Sequence, residues 1–283
     1  MRAGGNRRVF FQGGIPIRLA LIQMQVTHDK QTNLTHGRTL LEEAARQGAE
    51  LAVLPEMFCC PYSNSCFRPY GEEEGGPAWS FLSQTARELG LYLVGGSMPE
   101  LWDGRVYNTS YVFDPRGIQI AKHRKAHLFD IDVEGRQKFR ESDTLTPGNN
   151  ITLFDTEFGR FGLCICFDFR FQELAKAMAD GGAELILVPA AFNMTTGPAH
   201  WELLFRQRAV DNQIFTAGAA PARDEGAEYV SYGNSILVDP WGTVLARAGA
   251  REEILLADVD LTRNAAIRRQ LPIRAARRPE LYR

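Results

Sequence analysis

The sequence lacks any apolar run of the roughly 18 residues that a membrane span requires. It also lacks an excess of positive charge, since 32 Lys and Arg residues stand against 34 Asp and Glu residues. Nucleic-acid binding needs a concentrated basic face, and we interpret the locally basic segment 268–278 as a solvated terminal segment or a subunit contact. Neither a membrane nor a nucleic acid is therefore expected as a partner.

Cysteine is scarce, and its spacing is not that of a metal site. Five cysteines are an odd number in a 283-residue chain, which is long enough to fold without disulfides. Cys59, Cys60 and Cys66 cluster in a predicted loop, but no histidine stands at a matching ligand spacing. We therefore predict no metal and a reducing, cytoplasmic location. Segment 1–14 is rich in Gly and Arg and lacks the apolar core of a signal peptide, so a disordered lead-in is expected there.

Short apolar runs alternate with segments whose apolar residues recur at the spacing of a helix. This alternation continues through both halves of the chain and predicts α/β layers. Two Asp-Pro-x-Gly turns, at 114–117 and 239–242, are flanked by apolar runs and predict hairpins, so the sheets should be mixed. No linker divides the chain. The predicted strands are 17–25, 51–54, 91–95, 161–166, 185–188 and 214–219, and the predicted helices are 33–47, 78–89, 171–180 and 200–212.

Cys166 lies where an apolar strand passes into a helix-period segment. Such a strand-to-helix turn exposes its residue at the carboxyl end of the strand, as in the nucleophile elbow of serine hydrolases. The following helix terminus would favour a thiolate, so Cys166 is a candidate nucleophile, although a single cysteine is more often a small buried hydrophobe. Cys164 is interpreted as a core residue.

A thiol nucleophile needs a proton acceptor, and no histidine of the sequence is an obvious candidate for that role. Glu56 follows the predicted strand 51–54 at its carboxyl end, where ligands bind in α/β sheets, and burial could raise its pKa enough for a base. Lys125 lies in a charged segment that runs directly into Leu128 and Phe129, and a lysine there could stabilise an oxyanion. Taken singly, each residue is more often a solvated surface residue, and only the combination favours a catalytic role.

Three segments resemble, in order, the three signatures of the nitrilase superfamily of carbon-nitrogen hydrolases. They are 54–56 (LPE), 124–129 (RKAHLF) and 164–171 (CICFDFRF). The resemblance runs from about Ile17 to the C-terminus. It implies an α/β fold of four layers, an α-β-β-α sandwich with two mixed β-sheets, in one domain at 15–283.

The resemblance also implies the roles of individual residues and the absence of a cofactor. The implied catalytic residues are Glu56 as general base, Lys125 as oxyanion stabiliser, Cys166 as nucleophile and Glu141 as an assisting carboxylate, with the backbone N–H of Phe167 as a second oxyanion donor. Arg170 would bind the distal carboxylate of the substrate, because a guanidinium holds both carboxylate oxygens. Further substrate contacts are expected at His127, Thr196 and Phe192.

Segments 129–133, 192–202 and 208–213 resemble the omega-amidase branch of the superfamily. That branch implies hydrolysis of the terminal amide of short dicarboxylate monoamides (2-oxoglutaramate, 2-oxosuccinamate, succinamate) to the dicarboxylate and ammonia through a thioester. The alternatives are another amidase such as one for deaminated glutathione, a nitrilase, a carbamoylase, or a non-catalytic scaffold with the same fold.

The sequence departs from the family pattern at the floor of the expected pocket. Cys164 stands where many relatives have Gly, Phe167 replaces a frequent Tyr, and Gln172 replaces a frequent Pro or Ala. None of these changes removes a reacting group, but they leave the substrate open. Family members commonly assemble as homo-oligomers, so the resemblance implies a homodimer or a larger homo-oligomer, with helices 171–180 and 200–212 as the candidate contacts.

Overall fold

The computed structural model describes residues 16–282, so the predicted lead-in 1–14 lies outside the described residues. The helices of this part are α1 (Lys30–Arg46), α2 (Asn64–Tyr70), α3 (Pro77–Leu89), α4 (Gln172–Asp180), α5 (Gly197–Asn212) and α6 (Thr262–Gln270). Short 3₁₀ turns lie at Glu141–Asp143, Cys166–Arg170 and Pro279–Leu281. Within residues 16–282, no helix combines the length and the apolar character needed to cross a bilayer.

The strands form two large sheets and a short ribbon. In chain order they are β1 (Ile17–Gln23), β2 (Leu51–Val53), β3 (Tyr92–Val94), β4 (Met98–Trp102), β5 (Arg105–Phe113), β6 (Gln119–Arg124), β7 (Asp130–Asp132), β8 (Lys138–Arg140), β9 (Thr152–Asp155), β10 (Arg160–Leu163), β11 (Leu185–Pro189), β12 (Phe215–Ala219), β13 (Ile236–Val238), β14 (Val244–Arg247) and β15 (Glu253–Val259). The ribbon is the antiparallel pair of β7 and β8.

The first sheet has the order β15-β1-β2-β3-β5-β4, with β6 also paired to β5. β1, β2 and β3 run parallel, whereas the pairs of β1 with β15 and of β5 with β3, β4 and β6 are antiparallel. Strands covered on both faces are expected to be almost continuously apolar, and β1 fits this rule. Leu19 and Leu21 face the second sheet, whereas Ala20 and Ile22 face the helices.

The second sheet has the order β14-β13-β12-β11-β10-β9. β10, β11 and β12 run parallel and the outer pairs are antiparallel, so the prediction of mixed sheets is confirmed. On β11, Leu185 and Leu187 join the core between the sheets, whereas Ile186 and Val188 join the core under α4 and α5. The outer face of the first sheet is covered by α1 and α3. The predicted four-layer α-β-β-α sandwich is confirmed.

Both predicted hairpins are present, and an aspartate organises each turn. Asp114 Oδ1 accepts hydrogen bonds from the backbone N–H groups of Arg116 and Ile118, between β5 and β6. Asp239 Oδ1 does the same for Trp241 and Thr243, between β13 and β14. Each aspartate therefore satisfies backbone donors that the turn takes out of the sheet.

The strand predicted at 161–166 is shorter than expected, which changes the setting of Cys166. β10 ends at Leu163, and Cys166 begins a 3₁₀ turn with φ of +48°. Asp168 causes the early end, because its carboxylate accepts from the backbone N–H of Ile165 while its own N–H donates to the Ile165 carbonyl. The α-helix that follows begins at Gln172 and not at Cys166.

Several elements were not predicted. β15 pairs with β1 along its whole length, yet its partner lies at the other end of the chain, a relationship that no local pattern reveals. β7 and β8 have exposed, polar ends and are three residues each, too short for an alternation signal. Cys66 lies in α2 and not in the predicted loop. This helix was not predicted because it is only seven residues long and contains Pro69.

Candidate active site

Glu56 lies just beyond the carboxyl end of β2 and is 1% exposed. Its Oε1 accepts hydrogen bonds from Lys125 Nζ and Asn108 Nδ2, both at 2.9 Å, and its Oε2 accepts from the backbone N–H of Ala191 at 2.8 Å. Burial raises the pKa of Glu56, and the positive charge of Lys125 opposes that shift. A carboxyl group with a raised pKa suits a residue that must both take and return a proton.

Lys125 directly follows β6 and lies between two carboxylates. Its Nζ donates to Glu56 Oε1 and to Glu141 Oε1, each at 2.9 Å, and the side chain is fully buried. Burial alone would lower the pKa of Lys125, but the negative charges of Glu141 and Glu56 outweigh it and raise the pKa. Lys125 is therefore a fixed positive charge and not a proton donor.

Glu141 begins the 3₁₀ turn after β8 and is also buried. Besides Lys125, its Oε1 accepts from the hydroxyl of Tyr62 at 2.6 Å, and its Oε2 accepts from the backbone N–H of Phe129 at 2.7 Å. Three donors thus fix both carboxylate oxygens: one lysine, one phenol and one backbone amide. Lys125 Nζ and the Tyr62 hydroxyl are themselves 3.4 Å apart. The arrangement makes Glu141 a rigid counter-charge for Lys125.

Cys166 is buried, and its surroundings do not favour a thiolate. Burial raises the pKa of the Cys166 thiol well above its ordinary value, the charge of Glu56 raises it further, and Lys125 opposes both effects. The prediction that a helix terminus holds Cys166 ionised is therefore wrong, because the α-helix begins six residues later. Cys166 rests as a thiol beside a base. Cys164 is fully buried in the core, as predicted.

Asp168 joins the turn that carries Cys166 to the segment that carries Lys125. Its Oδ1 accepts from the backbone N–H groups of Ala126 and His127 and from the His127 ring at 2.8 Å. Its Oδ2 accepts from the His123 ring at 2.9 Å and from the backbone of Ile165. The hydrogen bonds from these two histidines hold the pKa of Asp168 well below its usual range despite its burial.

A narrow cavity opens beside Cys166. It is lined by Phe129, Cys166, Phe167, Arg170, Ala191, Phe192, Thr196 and Tyr229. The guanidinium of Arg170 lies over the Phe192 ring at 4.6 Å from its centroid and lies 3.1 Å from His200 Nδ1. Burial and the charge of Arg170 lower the pKa of His200, so its ring is neutral and accepts this hydrogen bond. Among residues 16–282, no carboxylate forms an ion pair with Arg170.

A second, wider cavity of about 320 Å³ reaches the same centre from another side. Its lining includes Glu56, Ala191 and Tyr229, and it extends to the exposed residues His28 and Glu228. Tyr229 belongs to both cavities, and its hydroxyl donates to the Ala191 carbonyl at 2.5 Å. The neighbourhood of Glu56 is therefore connected to solvent.

The structure brings most of the predicted site residues together. Glu56, Lys125 and Glu141 form one buried cluster, and the narrow cavity contains Cys166, Phe167, Arg170, Phe192 and Thr196. His127 is the exception, because its ring faces Asp168 and stacks on Phe171 at 3.8 Å and does not line that cavity. The Thr196 hydroxyl donates to Asn193 Oδ1 at 3.1 Å.

Four residues of this centre were not predicted: Asn108, Tyr62, Asp168 and His200. Asp168 and His200 stand within segments already singled out, as a buried acid two residues after Cys166 and a histidine at the start of a helix. Asn108 and Tyr62 carry no local signal, since a polar residue inside an apolar strand and a tyrosine in a loop have many ordinary explanations.

The comparisons with known proteins agree with this geometry. The model of the family described as "Carbon-nitrogen hydrolase" matches residues 18–269. The chain belongs to the carbon-nitrogen hydrolase family. A Bos taurus protein named omega-amidase NIT2 is 53% identical over 265 residues, which cover 94% of this chain and 96% of that protein.

Two solved structures are similar to this chain along nearly its whole length. Saccharomyces cerevisiae Nit3, a member of branch 10 of the nitrilase superfamily, has a TM-score of 0.85 at 42% identity and covers 92% of this chain and 96% of its own. The Caenorhabditis elegans NitFhit protein has a TM-score of 0.87 at 30% identity and covers 96% of this chain and 67% of its own.

These findings confirm three predictions: membership of the nitrilase superfamily, its fold, and a hydrolase that acts on carbon–nitrogen bonds other than peptide bonds. The omega-amidase function predicted from the sequence is confirmed as well, by relatives of that name at 51–53% identity.

Proposed function

We propose that this carbon-nitrogen hydrolase removes the terminal amide of short dicarboxylate monoamides such as 2-oxoglutaramate, 2-oxosuccinamate and succinamate, and releases ammonia. The observation that carries this proposal is Arg170, a half-buried guanidinium without a carboxylate partner in the described part of the chain, in the same cavity as Cys166. A substrate carboxylate supplies the missing partner, and a bidentate pair of this kind fixes its orientation. The narrowness of the cavity favours a short acyl chain.

In the first half of the reaction, Cys166 Sγ attacks the amide carbon while Glu56 takes its proton. A concerted transfer is required because the thiol rests protonated. The oxyanion is stabilised by the fixed charge of Lys125 and by the backbone N–H of Phe167. Glu56 then returns its proton to the departing nitrogen, and ammonia leaves behind a thioester on Cys166.

In the second half, a water molecule attacks the thioester, and Glu56 takes a proton from it. The wide cavity supports this step, because it joins Glu56 to the exposed residues at its mouth and gives water a route inward and ammonia a route outward. Glu56 then protonates the departing sulfur, and the free dicarboxylate leaves. Glu141 acts throughout as the counter-charge that keeps Lys125 in place.

The substrate assignment is tested by measuring ammonia release from succinamate, glutaramate, 2-oxoglutaramate, an uncharged aliphatic amide and a simple nitrile. Wild type should prefer the carboxylate-bearing amides. In Arg170→Ala, kcat/KM for these amides should fall about 100-fold or more, because a charged hydrogen-bonded pair is lost, whereas turnover of the uncharged amide should change little.

The matched control is Arg160→Ala, which removes an exposed arginine at the start of β10 that pairs with Asp155. It should leave the substrate preference unchanged. Equal turnover of charged and uncharged amides by wild type would overturn the substrate proposal. Ammonia release by Cys166→Ala from a good substrate would overturn the thioester mechanism. Preference for the nitrile, for a carbamoyl compound or for a peptide-like amide would favour one of the other branches.

We also propose that the chain works as a homodimer, with α5 at the contact. Leu203 on α5 is 59% exposed and Trp241 in the turn between β13 and β14 is 57% exposed. The two lie on one surface, because Arg206 donates from α5 to the Gly242 carbonyl in that turn. Large exposed apolar side chains on a common surface mark a protein contact. The other predicted contact helix, α4, remains a proposal without such support.

A cytoplasmic location is proposed on the state of the cysteines. All five are free, and Cys59, Cys60, Cys164 and Cys166 are buried. Free buried thiols are typical of reducing compartments. Titration of the denatured protein with a thiol reagent, directly after isolation, should find five thiols per chain. We propose the small carboxylate amide as the ligand and neither nucleic acid nor membrane as a partner.

A further inference from the structure

Asn108 lies in the middle of β5 and contacts Glu56 and Lys125, two of the proposed catalytic residues. Its Nδ2 donates to Glu56 Oε1 at 2.9 Å, and its backbone carbonyl accepts from the Lys125 N–H at 2.8 Å. The side chain is fully buried, and within residues 16–282 its Oδ1 has no hydrogen-bond partner. An unpaired buried acceptor costs free energy. The hydrogen bond donated by Asn108 Nδ2 therefore explains the presence of an amide here better than packing does.

The contacts of Glu56 divide unequally between its two oxygens. Each carboxylate oxygen has two acceptor positions. At Oε1 both are filled, by Lys125 Nζ and Asn108 Nδ2. At Oε2 one is filled, by the backbone N–H of Ala191. Neither donor at Oε1 can take a proton from a carboxyl group, so only Oε2 has a free position for one.

We infer that Asn108 is a positioning residue that confines the catalytic proton to Oε2 of Glu56. This inference rests on the proposed role of Glu56 as the general base. Ala191, which donates to Oε2, lines both the narrow cavity with Cys166 and the wide cavity that leads to solvent. Oε2 therefore faces the groups that exchange protons: the thiol, the leaving nitrogen and the hydrolytic water.

Without Asn108, one acceptor position on Oε1 of Glu56 becomes free. A proton bound at that position cannot be transferred to the reacting groups, because they lie at Oε2. The charged and titratable groups around Glu56 come from five separate segments: Lys125 after β6, Glu141 after β8, Cys166 after β10, Tyr62 before α2 and Tyr229 after β12. None of them replaces the lost donor, because Lys125 already donates to Oε1, and Tyr62 and Tyr229 donate to Glu141 and Ala191.

The test is the pH profile of kcat/KM for succinamate in two variants. Asn108→Leu keeps the branched shape of the side chain but removes the donor, so activity should fall about 10- to 100-fold. Its acidic limb should move upward by about one pH unit, because the ionised carboxylate has lost a hydrogen bond that favoured it.

Asn108→Asp should give a different profile. When protonated, the introduced carboxyl can donate to Oε1 as the amide does, and when ionised it repels Glu56 instead. Its activity should therefore be highest on the acidic side and fall as the pH rises through a new descending limb. A merely structural role for Asn108 predicts one common reduction in both variants, with the wild-type profile retained.

The matched control is Ser110→Ala, two residues along the same face of β5, whose buried hydroxyl also has no partner in the described residues. It should keep the wild-type profile. Glu56→Gln separates this inference from the mechanism on which it rests. If Glu56→Gln remains active, the general-base role itself fails. If Glu56→Gln is inactive while both Asn108 variants keep the wild-type profile, only the inference about Asn108 is overturned.

Discussion

At the scale of single residues, the centre depends on two carboxylates that share one ammonium. Glu56 and Glu141 each lie 2.9 Å from Lys125 Nζ, and all three are removed from solvent. A buried charge is tolerated only where partners compensate it. Burial raises the pKa of Glu56, the positive charge of Lys125 opposes that shift, and the negative charge of Glu141 adds to it. The second glutamate thus helps to set the basicity of the first.

Glu141→Gln tests that relation. The change keeps the shape of the side chain but removes the charge that raises the pKa of Glu56, so Glu56 becomes a weaker base. We expect kcat to fall about 100-fold, which is the usual range for impaired general-base catalysis, with KM within about twofold. The acidic limb of the kcat/KM profile should move to lower pH. Steady-state kinetics from pH 5 to pH 9 measure all three.

Glu134→Gln is the control for this prediction, since Glu134 is an exposed glutamate in the turn between β7 and β8. It should behave as wild type. An unchanged acidic limb in Glu141→Gln would show that Glu141 does not influence the basicity of Glu56.

Cys166 provides a second prediction at this scale. Because burial and Glu56 raise the pKa of its thiol, alkylation by iodoacetamide in the absence of substrate should accelerate continuously from pH 6 to pH 9. A preformed thiolate would instead react at a constant rate across neutral pH. Mass spectrometry of the peptide that contains Cys166 measures the rate. A plateau that begins below pH 7 would contradict the resting thiol.

At the scale of elements, Asp168 connects the two sheets where the reaction takes place. Lys125 follows a strand of the first sheet and Cys166 follows a strand of the second, and the carboxylate of Asp168 accepts hydrogen bonds from both segments. The two histidines that bind it, His123 and His127, belong to the Lys125 segment. The distance between nucleophile and lysine is therefore set by one buried side chain.

Asp168→Asn should destabilise the fold by about 3 kcal/mol, because it leaves buried donors without a charged acceptor. The effect should depend on pH. The pKa of Asp168 lies below its ordinary value of 3.8 in the folded protein, so its contribution is complete above about pH 4 and is lost as the pH falls. Urea unfolding at pH 7 and at pH 3.5 should show a smaller difference between wild type and variant at the lower pH.

Asp132→Asn is the matched control, since Asp132 is exposed and pairs with the exposed Lys138. Exposed pairs contribute little, so its unfolding should match wild type within about 0.5 kcal/mol. A loss of stability in Asp168→Asn that is equal at both pH values would show that its charge is not the stabilising feature.

The elements near the site were predictable to different degrees. The parallel strands and their helices have apolar patterns long enough to be recognised in the sequence. For that reason Glu56 could be placed just beyond one strand and Cys166 at the end of another. The 3₁₀ turn at Cys166 was not foreseen, because the Asp168 carboxylate that holds it accepts hydrogen bonds from a distant segment of the chain. The orientation of His127 follows from the same contact.

At the scale of the whole molecule, the family resemblance predicted more than local patterns did. The four layers and the triad were expected from three short motifs, whereas Asn108 and Tyr62 had no signal of their own. Their roles come from contacts between residues 52 and 79 positions apart in sequence. Contacts of this kind become visible only when the sheets are assembled.

The proposed homodimer gives a prediction at this scale. Leu203→Asp combined with Trp241→Glu places two charges on the surface formed by α5 and the turn between β13 and β14, where they should prevent a hydrophobic contact. Light scattering after size exclusion should then find a monomer of 31.7 kDa in place of a dimer. The exposed pair Ile118→Asp and Trp102→Glu is the control on the first sheet. A dimer that survives in the first variant would contradict a contact at α5.

The pairing of β1 with β15 has a consequence for how the chain is made. Ile17 pairs with Val259, so the partner of β1 is synthesised long after β1 itself. At about 5–20 residues per second, the open edge of β1 waits on the order of 12–50 s for its partner. An unpaired apolar strand edge can pair with other chains, so the nascent protein should depend on chaperones at β1 until β15 has been synthesised.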